Sequence, residues 1–234
     1  PKGIRYKYAI PGDSQVVQYE AMVFDARTGK RTSIAIDKWQ DQTVDIIYAS
    51  PASDFLYMLR KNRQANEMEF CRADLTTGQV RVLISEKSPT YLNDQMLQFS
   101  VLNSGKDIVW WSERSGWGHY YHYDGNGKLL NRITDGEWVA GKILRVDTGR
   151  MEMYFEGHGR NHGLNPYDAR LYKAGIRNGR VKELTPEDAN HKVRFSPSGG
   201  YFIDNFSRPD LTPRSVLRDR NGKLIMELAE ADLS

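Results

Sequence analysis

The sequence predicts an all-β protein built from four-stranded antiparallel units. Short runs of aromatic and β-branched residues are bounded by Asn, Asp, Ser and Gly, which tolerate the positive φ of tight hairpins. Turn signals recur about every 40 to 50 residues, and a second set is offset by roughly half a period. No stretch between the predicted strands shows the helical periodicity, over about ten residues, that a parallel β/α fold requires.

Two sets of turns define the repeat. The first set follows aromatic-rich runs, at Asp25–Gly29, Asp74–Gly78, Asp124–Gly127, Arg177–Gly179 and Asp219–Gly222. The second set marks the hairpin at the other end of each unit, at Ser50–Asp54, Asn103–Gly105, Asp147–Gly149 and Ser196–Gly200. Two hairpins per period imply four strands per unit, and radial units of this size are propeller blades.

The repeat predicts a single domain, a β-propeller present as a partial ring of about four and a half blades. The first unit has only its second half, because nothing before Tyr19 supplies the earlier hairpin. The last residues carry no further turn signal and are interpreted as the start of a linker. The predicted bounds are 1–40 for the last half of a blade, 41–88, 89–138, 139–187 and 188–228 for four blades, and 229–234 for the linker.

Composition limits the classes of function. Hydrophobic residues make up 39% and charged residues 27% of the 234 residues, as in ordinary globular proteins. The net charge of +3 comes from interspersed basic and acidic residues without a basic stripe, so no nucleic-acid partner is expected. No apolar run approaches the roughly 20 residues of a membrane span, and no signal peptide opens the chain. Because the chain begins with Pro1 rather than Met, we expect a processed or excised piece.

Metal and cofactor sites are not predicted. The single cysteine, Cys71, excludes a disulfide framework and a Cys-rich zinc site, and its strand-like surroundings predict a buried thiol. His158 and His162 are four residues apart and would share a face only on a helix, which the glycines around them oppose. No Gly-rich loop precedes a helix, so no phosphate cradle is indicated. The sequence therefore predicts no metal ion and no cofactor.

Catalytic residues are not predicted either. Serine hydrolases need a Gly-x-Ser-x-Gly elbow, which the chain lacks. The nearest stretch, Ser196-Pro-Ser-Gly-Gly200, is interpreted as a hairpin turn. Glu113 and Arg114 directly follow a strand and are predicted to form a structural ion pair. His119 and His122 are three residues apart in a strand-like run, so they point to opposite faces and are assigned packing or surface roles.

An aromatic stripe runs through the unit at 89–138. Its members are Trp110, Trp111, Trp117, Tyr120, Tyr121, Tyr123 and Trp138. Alternation along strands places half of the stripe between blades. Core packing is therefore the preferred interpretation, and a platform for a sugar or peptide is the alternative.

The same region carries a resemblance to a known family. Ile108–Asp124 contains Ser-Glu-Arg, Gly-Trp and a His-centred strand, and Arg132–Trp138 follows with the order Ile-Thr-x-Gly-x-Trp. This order closely resembles the N-terminal propeller of the dipeptidyl peptidase IV type of prolyl oligopeptidase-family serine peptidases. Leu171-Tyr172, Leu184–Pro186 and Phe195–Gly199 also fit, so the resemblance covers most of the chain.

The resemblance implies one part of a larger enzyme. In that family an eight-bladed propeller precedes and caps an α/β-hydrolase domain that carries a Ser-Asp-His triad. The family's paired glutamates, which grip the free amino terminus of the substrate, lie on an earlier blade, and no Glu-Glu occurs here. The loop near Tyr91-Leu-Asn93 resembles the segment that lines the substrate pocket. Tyr91 and Asn93 are therefore the site residues carried over, although the family's Arg at that loop is not evident here.

These considerations predict the non-catalytic propeller portion of an exopeptidase that releases N-terminal Xaa-Pro or Xaa-Ala dipeptides. The chain would gate access to the hydrolase and orient the peptide, and it would be inactive alone. The expected partners are the peptide substrate, an α/β-hydrolase domain of the same polypeptide, and a second copy of the chain through unpaired strand edges and apolar blade faces. The family implies a periplasmic or exported protein. The alternative is a stand-alone propeller that serves as a scaffold or binds a protein or glycan ligand.

Overall fold

The computed structural model describes residues 3, 10, 12–49 and 54–232, and their regular elements are β-strands apart from one 3₁₀ turn at Asn103–Gly105. The predicted all-β fold is thereby confirmed. The chain divides into two compact units, Pro1–Leu92 and Asn93–Ser234. The described sheets are antiparallel, and their strands follow one another in chain order, as in propeller blades.

The first unit holds a two-stranded and a four-stranded sheet. Its strands are β1 (Ala21–Phe24), β2 (Arg31–Ile34), β3 (Gln42–Ala49), β4 (Phe55–Asn62), β5 (Glu67–Asp74) and β6 (Val80–Lys87). β1 pairs with β2, and β3 to β6 form the larger sheet in that order. The β1–β2 sheet lies where the sequence predicts half a blade. The predicted turn at Ser50–Asp54 falls mainly on residues 50–53, which lie outside the described residues.

The core of the first unit joins its two sheets. Ile34 at the end of β2 belongs to the same buried cluster as Leu56 and Met58 on β4 and Cys71 and Ala73 on β5. Met58 lies directly opposite Cys71 in the sheet, so both side chains leave the same face. The predicted burial of Cys71 is confirmed. Burial raises the pKa of this thiol to about 11.

The second unit contains three four-stranded blades. The first consists of β7 (Phe99–Leu102), β8 (Asp107–Ser112), β9 (His119–Asp124) and β10 (Leu129–Arg132). The second consists of β11 (Val139–Asp147), β12 (Glu152–His158), β13 (Arg170–Gly175) and β14 (Val181–Glu183). The third consists of β15 (Asn190–Phe195), β16 (Tyr201–Arg208), β17 (Leu211–Asp219) and β18 (Leu224–Glu230).

Blades of the second unit pack face to face. Val109 on β8 and Tyr120 on β9 share one buried cluster with Met153 and Phe155 on β12 and Tyr172 on β13. The rings of Tyr120 and Phe155 meet edge to face, with centroids 5.8 Å apart. Since the strands at the centre of a blade are covered on both faces, β8 and β9 are buried over almost their whole length. His119 and His122 both lie in this buried strand, which confirms a packing role for them.

The aromatic stripe is core, as preferred, for every member except Trp117. Trp111 ties two blades together, because its Nε1 donates a hydrogen bond to the Ala140 carbonyl at 2.7 Å. Gly118 lets the chain pass beneath this indole. A Cβ at Gly118 would lie 2.3 Å from Cζ2 of Trp111, so a larger residue would displace the ring.

The tight turns explain the repeated Asp-x-Asn-Gly pattern. In the β9–β10 turn, Oδ1 of Asp124 accepts hydrogen bonds from the backbone N–H groups of Asn126 and Lys128, both at 2.9 Å. Gly127 completes the turn with a φ of 84°, a region that favours glycine. The interpretation of Ser196–Gly200 as a hairpin turn is also confirmed, since it links β15 to β16 through a Gly199 N–H bond to the Ser196 carbonyl.

The last strand extends beyond the predicted end of its blade. β18 continues to Glu230, whereas the sequence placed the start of a linker at residue 229. Every side chain of β18 is exposed, and its pairing with β17 is interrupted by two irregularities of the bulge type. Among the described residues, no helix is long and apolar enough to cross a membrane.

Candidate functional site

The blades of the second unit carry different connections at their two ends. Since successive strands are antiparallel, alternate connections lie at opposite ends of a sheet. The turn end carries the connections β7–β8, β9–β10, β11–β12, β13–β14, β15–β16 and β17–β18. The loop end carries the other connections, at residues 113–118, 133–138, 159–169, 184–189 and 209–210. Binding residues concentrate on loops that a rigid scaffold positions, so the loop end is the candidate functional surface.

Neighbouring blades join their loops at this end. The Ala140 N–H donates to the Gly118 carbonyl at 2.8 Å, which connects β11 to the β8–β9 loop. The His191 N–H donates to the Ala169 carbonyl at 2.9 Å, and the Ala169 N–H donates to Oδ1 of Asn190 at 2.9 Å. These bonds hold the loops of adjacent blades in one surface.

The two residues carried over from the resemblance lie on either side of the boundary between the units. Tyr91 belongs to the first unit and Asn93 begins the second. The Tyr91 side chain is 54% exposed, and Asn93 is partly buried. Leu92 donates its backbone N–H to the Ala65 carbonyl at 2.8 Å, which fixes the segment against the β4–β5 connection. The role of Tyr91 and Asn93 in a substrate pocket stays a prediction.

Arg114 anchors the β8–β9 loop. Its guanidinium lies over the ring of Tyr121, with Cζ 4.6 Å from the ring centroid, and its Nε donates to Oγ of Ser112 at 3.0 Å. It also donates to the Tyr123 hydroxyl. These described contacts hold the loop to β8 and β9, while the ion pair with Glu113 stays a prediction.

Arg160 anchors the longest of the loops at the loop end of the second unit, between β12 and β13. Its guanidinium carbon lies 5.3 Å from the ring centroids of both Trp138 and Tyr172, a cation–π arrangement on two aromatic faces. The next residue, Asn161, donates from Nδ2 to Oε2 of Glu183 at 2.9 Å. Burial raises the pKa of Tyr172 to about 12, and its hydroxyl has no hydrogen-bond partner among the described residues.

Two aromatic side chains remain exposed at the loop end. Trp117 on the β8–β9 loop is 42% exposed, and Tyr167 on the β12–β13 loop is 87% exposed. An open cleft of about 690 Å³ between the second and third blades is lined by Asp168, which follows Tyr167, and by Asn190 and residues 207–213. Exposed Trp and Tyr side chains on well-anchored loops are the residue types that carry most binding energy in protein contacts. The loop end is therefore suited to binding peptide or protein.

A buried cluster of charges joins β15, β16 and β17 of the third blade to the connection at residues 184–189. Arg218 on β17 donates from Nε to Oδ2 of Asp204 at 3.0 Å and from a terminal nitrogen to Oε1 of Glu187 at 2.6 Å. Nδ1 of His191 lies 2.9 Å from Oδ1 of Asp204, and its Nε2 lies 3.0 Å from the Glu187 carbonyl. Both ring nitrogens of His191 therefore lie within hydrogen-bond distance of an oxygen atom.

This cluster is an ionic network rather than a metal centre. Glu187, His191 and Asp204 form the one group of three potential ligands found within the described part of the chain, and neither His158 nor His162 belongs to it. The guanidinium of Arg218 already bonds both carboxylates, so a metal ion there would lie beside a positive charge. The side chains of His191 and Asp204 are completely buried, so their polar atoms must find hydrogen-bond partners within the protein.

Sequence reasoning missed this cluster, although one signal was present. In β16, Asp204 lies two residues from Phe202 and from Phe206, so all three leave the same face of the strand. On β17, Arg218 likewise shares a face with Val216. A charged residue that alternates with buried apolar residues on each of two paired strands indicates a buried ion pair.

Comparison with known proteins identifies the family to which the chain is similar. A family model described as the dipeptidyl peptidase IV (DPP IV) N-terminal region matches residues 1–213. A probable dipeptidyl peptidase 4 of Aspergillus fumigatus is 25% identical over 206 residues, which cover 82% of this chain and 26% of that protein. Dipeptidyl peptidase 4 of Trichophyton rubrum is 22% identical over 235 residues, 95% of this chain and 29% of that protein.

Solved structures show the same fold. The dipeptidyl peptidase 4 of Porphyromonas gingivalis superposes with a TM-score of 0.74 at 20% identity, covering 90% of this chain and 29% of that one. A putative dipeptidyl aminopeptidase IV from Bacteroides ovatus superposes with a TM-score of 0.71 at 23% identity, covering 91% and 32%. The chain thus spans less than a third of the length of the proteins it matches. From the family match over residues 1–213, the chain belongs to the family of dipeptidyl peptidase IV N-terminal regions.

Proposed function

We propose that the chain is the non-catalytic propeller portion of a dipeptidyl peptidase 4-like exopeptidase. In this role its blades restrict which peptides reach a hydrolase domain of the same polypeptide and orient the amino terminus for cleavage. The family match over residues 1–213 carries the proposal. The proposed substrates are peptides that lose an N-terminal Xaa-Pro or Xaa-Ala dipeptide, and the proposed location is periplasmic or exported.

The loop end supplies the surface that such a role needs. It displays Trp117 and Tyr167 to solvent, while Arg114 and Arg160 fix the loops that carry them. Anchored loops bind with little loss of conformational entropy, which favours recognition of an extended peptide or of a neighbouring domain.

The site residues can be tested in a polypeptide that contains the hydrolase region. Tyr91→Ala and Asn93→Ala are each expected to raise KM for a Gly-Pro chromogenic amide several-fold with a smaller change in kcat, since they would bind substrate without taking part in bond cleavage. Tyr201→Ala is the matched control, because Tyr201 is about as exposed as Tyr91 but begins β16 at the turn end. Equal KM values for all variants would contradict the assignment.

The 234-residue chain by itself should not hydrolyse this amide, because its sequence contains no Gly-x-Ser-x-Gly. Hydrolysis that disappears on serine modification would count against the proposal. The alternative function is a scaffold or a binding propeller for a protein or glycan, for which the exposed Trp117 and Tyr167 are the supporting observation. Tight glycan binding by the chain, without any Gly-x-Ser-x-Gly in the same reading frame, would favour this alternative.

We also infer that the chain associates with a second copy through the third blade of the second unit. Ile203 lies opposite Leu217, and Leu217 lies opposite Met226, so all three leave one face of the sheet, where Ile203 and Met226 are exposed. The bulges in β18 twist its edge, which favours contact through the face over edge-to-edge pairing. Light scattering at micromolar concentration is expected to show a dimer that Ile203→Lys dissociates. A strictly monomeric mass would refute the inference.

A further inference from the structure

Basic residues repeat at the turn end of all three blades in the second unit. Each outermost strand is entered through the same four-residue pattern of Asn, Gly, a basic residue and an apolar residue. The three copies are Asn126-Gly-Lys-Leu129, Asn178-Gly-Arg-Val181 and Asn221-Gly-Lys-Leu224. The basic side chains of Lys128, Arg180 and Lys223 are all exposed. The linear sequence shows no basic stripe because 52 residues separate Lys128 from Arg180 and 43 separate Arg180 from Lys223.

The side-chain oxygens of Asp124, Asn178 and Asp219 in these turns accept hydrogen bonds from the backbone. Oδ1 of Asp124 accepts the Lys128 N–H, and Oδ1 of Asp219 accepts the Lys223 N–H, both at 2.9 Å. In the middle blade Oδ1 of Asn178 accepts the Arg180 N–H at 3.0 Å. The charged ends of the three basic side chains enter no hydrogen bond or ion pair within the described part of the chain. The turn end therefore presents positive charge to solvent.

Contacts between blades bring these turns together. Nδ2 of Asn103 in the β7–β8 turn lies 3.4 Å from Sδ of Met151 in the β11–β12 turn. Lys173 and Lys182 of the middle blade donate to Oδ1 and to the carbonyl of Asn221 at 3.0 Å and 2.8 Å. A Cβ added at Gly179 would lie 3.0 Å from the Arg132 carbonyl oxygen, so the turn that carries Arg180 packs against the end of β10. The turns that carry Arg180 and Lys223 thus each pack against the outer part of the preceding blade, which joins the three basic positions along the outer edge of the blades. Lys106 and Arg177, both exposed, add further positive charge at the same end.

Exposed apolar side chains accompany the lysines. Leu129 and Leu130 follow Lys128, and Leu224 and Ile225 follow Lys223, each of them close to half exposed. Both pairs lie on the outermost strand of their blade. A nucleic acid would neutralise the lysines and leave these side chains in water. An anionic lipid surface accepts both features, because phosphate headgroups pair with lysine and the headgroup boundary takes up apolar side chains.

We propose that the turn end of the second unit is a peripheral binding surface for anionic phospholipid. Lys128, Arg180 and Lys223 contact headgroup phosphates, and the apolar pairs after the two lysines enter the headgroup boundary. The proposed contacts use neither Trp117 nor Tyr167, the exposed aromatic side chains of the loop end. The inference does not depend on the proposed peptidase role.

The test is co-sedimentation of the 234-residue chain with vesicles. The chain is expected to bind vesicles that contain about 30 mol% phosphatidylglycerol at low ionic strength, to bind phosphatidylcholine vesicles far less, and to be released by salt. At about 1 kcal/mol per basic side chain near an anionic surface, removal of two lysines weakens partitioning by roughly thirty-fold. Lys128→Glu with Lys223→Glu should show at least this loss.

Two further variants separate the possible causes. Lys142→Glu with Lys192→Glu makes the same change in net charge at exposed positions on β11 and β15, nearer the loop end, and is expected to retain most of the binding. Leu129→Ser with Leu224→Ser keeps the charges and is expected to weaken binding to the anionic vesicles while leaving binding to heparin unchanged.

Three results would overturn the proposal. The first is no binding to anionic vesicles at low salt. The second is equal loss in the two charge variants, which would indicate attraction by net charge alone. The third is unchanged vesicle binding in the serine variant, which would indicate a general site for polyanions. Circular dichroism of each variant verifies that the blades are folded.

Discussion

Asp204→Asn should destabilise the third blade of the second unit more than any exposed charge substitution. The change keeps the size of the side chain but removes the negative charge that faces both His191 and Arg218. Asp204 and His191 have completely buried side chains, and the Arg218 side chain is 4% exposed. Removing one member of a buried charge network leaves the others uncompensated, which typically costs about 3–5 kcal/mol. A loss of this size is a large fraction of the stability of an ordinary domain.

The assay should report on this blade, since a chain of two compact units need not unfold in one step. Hydrogen exchange of the β16 and β17 amides, followed by mass spectrometry in increasing urea, gives the local free energy of opening. The second variant, Arg218→Met, removes the partner charge. The double variant should be less destabilised than the sum of the two single variants, because the remaining unpaired charge is removed.

Asp210→Asn is the matched control. Asp210 also pairs with an arginine, Arg208, but its side chain is 71% exposed. Water and salt screen such a pair, so the substitution should produce no measurable change. The reasoning is refuted if Asp204→Asn opens no more readily than the wild type, or if Asp210→Asn has the same effect.

Three further predictions concern other blades. Gly118→Ala should lower the free energy of unfolding by about 1–3 kcal/mol, because the new methyl group would meet the Trp111 ring. Cys71 should react with a thiol reagent only when the first unit unfolds. Burial raises the pKa of its thiol from 9.0 to about 11, so the stability that the neutral thiol contributes is present below pH 9 and is lost as pH rises toward 11. Burial raises the pKa of Asp107, but hydrogen bonds from Asn103 and His122 outweigh burial and hold it below its ordinary value. The stability that this carboxylate contributes is therefore present above its ordinary pKa of 3.8 and lost as pH falls through the lowered value.

Each of these predictions has its own control. Gly149→Ala should be tolerated, because a Cβ there meets only Oδ1 of Asp147 at 3.5 Å. If thermal unfolding shows the same loss of stability for Gly149→Ala as for Gly118→Ala, the clash with Trp111 is not the cause. The alkaline loss of stability should be smaller in Cys71→Ala, and identical profiles would dismiss the thiol as its cause. Asn103→Ala should move the acid unfolding of the first blade of the second unit to higher pH, whereas no shift would show that the hydrogen bond does not hold the carboxylate.

Alternation and turn chemistry were sufficient to predict most of the fold from the sequence. The turn at Asp124–Gly127 is determined locally, because its carboxylate bonds the N–H groups of the next residues and its glycine adopts a positive φ. Turns of this kind can be predicted from their own few residues. The order Ser-Glu-Arg, Gly-Trp and Ile-Thr-x-Gly-x-Trp likewise predicted the family, because it extends over β9, β10 and the loops before and after them.

Properties that depend on contacts between distant residues were decided by the tertiary structure. Trp117 is adjacent in sequence to core aromatics, yet it is exposed because the loop turns it outward while Gly118 passes beneath Trp111. Asp204 and Arg218 form one network because β16 and β17 pair in a register that the sequence does not state.

The sequence by itself determined that this chain is built from four-stranded antiparallel units, because hairpin turns and strand alternation are local properties. Only the tertiary structure decided which side chains share a surface. Lys128, Arg180 and Lys223 are dispersed among acidic residues along the chain, and the repeat places each of them in the turn that enters the outermost strand of its blade. In a repeat fold the composition of a surface is therefore set by the position of a residue within its repeat rather than by its neighbours in sequence.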